Sequence, residues 1–77
     1  MSDVAERVRN VVARTLKVDY TLISDDARFV EDLGTDSIKS VELVAAFEEE
    51  FDIEMDDEAA LGVKTVGKAV NFIRKMV

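Results

Sequence analysis

Apolar positions recur at intervals of three and four in several stretches of the chain, and no alternating stretch of useful length appears, so the predicted elements are helices. Over Asp3 to about Lys17, Val4, Val8, Val11, Val12 and Leu16 share one stripe when residues are set at about 100° each. Asp3 with Glu6 has the spacing of a variant capping box, and Ser2 is a competing cap. Arg7, Arg9 and Arg14 lie off the stripe and read as solvent-facing. The period lapses from Val18 to Asp36, which predicts a long first loop. Val18, Leu22, Ile23, Phe29, Val30 and Leu33 are candidates to anchor that loop, and a short helical turn fits near Thr21 to Ile23.

A second helix is predicted from Ser37 to about Phe51, with Asp36 as its N-cap and Gly34 supplying a residue that tolerates positive φ just before it. It carries two apolar groups. Leu43, Val44, Phe47 and Phe51 fall together, with small Ser40 among them, and read as core. Ile38, Val41 and Ala45 form another stripe, flanked by Glu42, Glu48 and Glu49, and read as an exposed apolar strip with an acidic border. The alternative is a central helix with both groups buried, which a domain this small rarely achieves. Ile53 and Met55 follow in a connecting loop. Asp56 or Asp57 starts a short helix ending near Leu61, with Gly62 as its stop. Thr65 caps a last helix with the stripe Val66, Ala69, Val70, Ile73 and Val77, Phe72 at its edge, and basic Lys68, Arg74 and Lys75. Gly67 weakens its first turn by roughly 1 kcal/mol relative to alanine. The expected fold is all-α: a small four-helix bundle with three longer helices, one short third helix and a long first loop, spanning residues 1–77 as one domain.

Charge narrows the choice of partner. Of 17 acidic residues, 12 lie between Glu31 and Glu58, a stretch holding only one of the 10 basic residues, Lys39. That half would set carboxylates against nucleic-acid phosphates or an anionic membrane surface, so basic proteins are the natural partners. A solvated acidic face kept for solubility is the plainer alternative. No apolar run is long enough to span a bilayer. With no cysteine and no histidine, the chain lacks a thiolate nucleophile and the usual general base near neutral pH. Ser37 has no histidine to activate it, and Lys39 lies on a different helix side. Metal ligation is left to oxygen-rich patches around Glu31, Asp32, Asp36, Glu48 and Glu49, whose order does not fit a calcium-binding loop. Autonomous catalysis is not expected. Ser37 is instead an accessible hydroxyl in the first turn of a helix, where a phosphate ester would meet unpaired backbone N–H groups and the positive end of the helix dipole. Equally, a serine there is an ordinary helix-start residue.

Gly34-Thr35-Asp36-Ser37-Ile38 resembles the G-x-D-S-L signature of acyl carrier proteins. Phe29-Val30-Glu31-Asp32-Leu33, Val41-Glu42-Leu43-Val44, Phe47-Glu48-Glu49-Glu50-Phe51 and Thr65-Val66 extend the likeness over nearly the whole chain. The resemblance implies that Ser37 carries a 4'-phosphopantetheine arm, transferred from coenzyme A by a phosphopantetheinyl transferase. The arm's thiol would hold acyl intermediates as thioesters for synthases, reductases and acyltransferases of fatty-acid, lipid or polyketide synthesis. It further implies a docking surface of Asp36, Ile38, Val41, Glu42, Ala45 and Glu49 facing basic patches, acyl chains sequestered between helices, and a monomer. The lack of cysteine and of a signal-peptide-like apolar stretch fits a reducing, cytoplasmic setting. Four residues depart from the family's pattern: Ile38 for leucine, Lys39 for an acidic or neutral residue, Asp56 for proline, and Leu61 for a charged residue. An exposed Leu61 would add an apolar spot beside the docking face, and a buried one would repack the third helix. A peptidyl or aminoacyl carrier is the nearest rival, and a non-modified acidic adaptor or a divalent-ion binder are rivals of other classes.

Overall fold

Short polar side chains set where each helix of this chain starts. The computed structural model describes residues 3–77, so the cap considered at Ser2 lies outside the described residues. Among the described residues there are four α-helices: α1 (Val4–Leu16), α2 (Ser37–Phe51), α3 (Asp57–Leu61) and α4 (Val66–Arg74), with a 3₁₀ turn at Tyr20–Leu22 after α1. Each begins with a side chain accepting from an otherwise unpaired backbone N–H. Asp3 accepts from Ala5, Asp36 from Lys39, Asp56 from Glu58 and Thr65 from Lys68. The first two long helices end on residues in the left-handed region, Lys17 (φ 57°) and Asp52 (φ 53°). Gly62 after α3 has φ −79°, so its conformation there does not require glycine.

α1 packs against both α2 and α4. The core joins Val8, Val11 and Val12 of α1, Leu43, Phe47 and Phe51 of α2, and Val66, Ala69, Val70 and Ile73 of α4. α3 buries none of its residues. The stripe predicted for α4 is buried through Ile73, but Val77 lies past the helix end and is exposed. Arg7 is not simply solvent-facing: its guanidinium bonds Glu50 Oε2 at 2.9 Å and the Glu50 carbonyl at 2.7 Å, and stacks 4.5 Å above the Phe51 ring. It thereby satisfies an unpaired carbonyl in the last turn of α2 and fastens that end to α1.

The long loop is held by backbone bonds as well as by apolar anchors. Phe29 N donates to Lys64 O at 3.0 Å, Val66 N to Ala27 O at 3.0 Å and Gly67 N to Asp25 O at 2.8 Å, with one antiparallel bridge between Arg28 and Thr65. Ile23, Ala27 and Phe29 are buried and Val18 and Leu33 half-buried, whereas Leu22 and Val30 point to solvent. Gly67 has a specific reason to be glycine. A Cβ there would lie 3.0 Å from the Asp25 carbonyl oxygen, so the loop could not approach α4 this closely.

Candidate functional site

The start of α2 is positioned by the loop before it. Arg28 donates from Nε and its backbone N–H to Asp32 Oδ2 (3.1 and 2.8 Å) and from Nη2 to Oδ1 (3.2 Å). These bonds hold the Asp32 carboxyl below its ordinary pKa, the Arg28 side chain first and its backbone N–H second. Leu33 N then donates to Arg28 O at 3.1 Å, Gly34 turns the chain at φ 69°, and Thr35 N donates to Phe29 O at 2.8 Å. Thr35 is thereby drawn inward and buried, and the next two residues face out. The Asp36 carboxylate accepts from Lys39 N at 2.8 Å. Ser37, the first residue of α2, is exposed.

The two apolar groups of α2 separate as its period predicts. Leu43, Phe47 and Phe51 are buried and Val44 is half-buried. On the other side Ile38 is 69% exposed and Val41 70%, with Ala45, Asp36, Glu42 and Glu49 exposed as well. All six residues expected to face partners are exposed, five of them on α2 and Asp36 at its N-cap. Glu48 is the exception among the bordering acids: it is half-buried and accepts from Met55 N at 3.0 Å, tying α2 to the loop before α3. Lys39 places Nζ 3.5 Å from Glu42 Oε2, which offsets part of the negative border near the helix start.

Beside Ser37 a groove of about 460 Å³ runs between α2 and α3, walled by Val41, Val44, Ala45, Ala60 and Leu61. Leu61 is 70% exposed, so it extends the apolar strip rather than repacking α3. The groove is the feature that the chain's periodicity could not supply, because Ala60 and Leu61 sit on an element too short to show a face of its own. Thr35 was equally invisible as a buried residue, since a threonine beside a glycine turn carries no periodic signal. Among the described residues no three carboxylates cluster to hold a metal ion. Of the oxygen-rich candidates, Asp32 is bonded to Arg28, Asp36 to Lys39 N and Glu48 to Met55 N.

An exposed serine at a helix start with an apolar groove alongside fits a phosphodiester-linked arm: the hydroxyl is reachable, and the groove gives a flexible chain an apolar surface. Comparison with known proteins points the same way. The family model described as the phosphopantetheine attachment site matches residues 6–73. The acyl carrier protein of Phenylobacterium zucineum (strain HLK1) is 55% identical over 75 residues, covering 97% of this chain and 95% of that protein. The acyl carrier protein AcpP of Rhizobium meliloti (strain 1021) is likewise 55% identical over 75 residues, covering 97% and 96%. Among solved structures, a candidate acyl carrier protein from Mycobacterium tuberculosis superposes with a TM-score of 0.90 at 31% identity, covering 97% of this chain and 100% of that one.

Proposed function

The chain belongs to the acyl carrier protein family, whose members bear a covalent 4'-phosphopantetheine, and from that premise we propose that Ser37 takes the arm and that the exposed strip of α2 meets the partner enzymes. The observation that carries the assignment is the juxtaposition of an exposed Ser37, first in its helix, with the groove it helps to line. Once attached, the arm supplies the thiol that this cysteine-free chain lacks, holding an acyl group as a thioester.

Each neighbouring residue has a definable task. Asp36 caps Lys39 N and fixes the register of the first turn, so Ser37 is presented in one backbone geometry. The N–H groups of Ser37 and Ile38 have no acceptor within the helix, and they favour an anionic ester at this position. Val41, Ala45 and Leu61 offer the attached chain an apolar wall. Ile38, Val41 and Ala45 supply apolar contact to a docked enzyme, while Asp36, Glu42 and Glu49 attract a basic patch and orient the encounter. The partners are a phosphopantetheinyl transferase and the synthases, reductases and acyltransferases that act on the cargo. The chemical steps belong to those enzymes, and the chain works as a cytoplasmic monomer. No helix among the described residues is long and apolar enough to cross a membrane.

The test is intact-mass analysis after incubation with coenzyme A and a broad-specificity transferase. One phosphopantetheine increment is expected on the wild-type chain and none on Ser37→Ala, which should fold normally because the serine side chain is exposed. An increment on folded Ser37→Ala would move the site elsewhere.

A further inference from the structure

The groove beside Ser37 shares part of its wall with a second hollow. Ser40 and Leu61 line both, and the second is a smaller cavity of about 150 Å³ whose wall includes Phe29, Thr35, Leu43 and Phe47. Most of that wall is aliphatic or aromatic. Of its polar members, Glu31 and Lys64 are exposed and Ser40 is half-buried; only Thr35 is buried. It is 5% exposed, its backbone N–H is taken by Phe29 O at 2.8 Å, and its Oγ1 has no hydrogen-bond partner among the described residues. A buried hydroxyl left unpaired is unfavourable compared with a methyl of the same shape, so valine would suit a purely structural position better. Water needs two to four polar partners to be held well, and a largely apolar wall supplies few. A ligand bearing a single oxygen on an otherwise apolar chain matches both the wall and the hydroxyl.

Resting on the carrier reading above, we propose that Thr35 is a specificity-determining residue for the cargo: its hydroxyl pairs with an oxygen on the third carbon of the acyl chain, so chains oxygenated there are held inside in preference to fully reduced chains of equal length. Volume sets the chain length. A cavity of this size holds a guest of roughly six heavy atoms, about that of benzene, so a six-carbon chain is about the longest it takes whole, and the third carbon lies mid-chain in such a guest. Thr35 can donate to a keto oxygen, or donate to and accept from a hydroxyl.

The test loads the full chain with hexanoyl or 3-hydroxyhexanoyl groups, verifies each species by intact mass, and measures how fast hydroxylamine cleaves the thioester. Comparing wild type with Thr35→Val for both cargoes cancels the intrinsic reactivity of each thioester. The expected result is that Thr35→Val speeds cleavage of the 3-hydroxyhexanoyl form, relative to the hexanoyl form, by about three- to tenfold, the range of one neutral hydrogen bond. Thr35→Ser, which keeps the hydroxyl, should retain the wild-type preference. The unmodified Thr35→Val chain should also melt higher than wild type, because it removes an unpaired buried polar group. A ratio near one, or a lower melting temperature for unmodified Thr35→Val, overturns the proposal and shows that the hydroxyl is satisfied without cargo. A chain that accepts no arm at all overturns the carrier reading and this proposal with it. A loaded chain without a Thr35-dependent preference overturns this proposal alone.

Discussion

Val41→Ala separates docking from folding because the two effects should have opposite signs. The substitution removes two methyl groups, each worth about 0.8 kcal/mol when fully buried. Since Val41 is 70% exposed, most of that remains to be gained on contact with a partner. A partner that covers the residue should therefore lose about 1 kcal/mol of binding, roughly a sixfold weakening. Folding should change the other way. Little burial is lost, and replacing a β-branched residue by alanine within a helix favours the helix by about 0.5 kcal/mol. The assay pairs urea denaturation with steady-state kinetics of a phosphopantetheinyl transferase, using the chain as the varied substrate. KM should rise several-fold with kcat little changed, while the unfolding midpoint stays the same or increases. An unchanged KM in the folded variant would remove Val41 from the docking surface. A loss of stability above about 1 kcal/mol would mean that Val41 is part of the core, contrary to its exposure.

Other outcomes test the frame that presents Ser37. Gly67→Ala, which would stabilise an unobstructed helix by about 1 kcal/mol, should destabilise here, because overpacking costs typically 1–3 kcal/mol and the obstructing atom is a backbone carbonyl already bonded to Gly67 N; a higher unfolding midpoint would refute the close approach. Asp32 has a lowered pKa in the folded chain, so its bonds to Arg28 contribute fully above the ordinary carboxylate pKa of about 3.9 and are lost as pH falls through the lower folded value. The melting temperature of wild type should thus exceed that of Asp32→Asn at neutral pH, with the gap closing below about pH 4; a gap that persists unchanged to pH 2 would argue against the ion pair.

Much of the fold was legible because its signals are local. Asp36 caps α2, Thr65 caps α4 and the three valines of α1 share a face for reasons contained within one or two helical turns, and no distant residue is needed to see them. The separation of Leu43, Phe47 and Phe51 from Ile38, Val41 and Ala45 is likewise a matter of helical period. Loop anchors were harder. Leu22 and Val30 are as apolar as Ile23 and Phe29, and without a period nothing in the loop says which pair turns inward. Arg7 illustrates the same limit, since its value lies in reaching the last turn of another helix.

What the amino-acid order determined by itself was therefore a set of capped helices, the acidic border of α2 and a serine placed at its start. Tertiary structure decided what the core face of α2 packs against, since the pairing of α1 with both α2 and α4 joins elements distant in the chain. It also decided that Leu61 would wall a groove, that Gly67 would admit the Asp25 carbonyl, and that the Thr35 hydroxyl would be buried in a cavity with no hydrogen-bond partner among the described residues. Each of these depends on an approach between residues distant in the chain. Helical period and capping act over a few residues, whereas a cavity exists only where separate elements fail to fill the space between them.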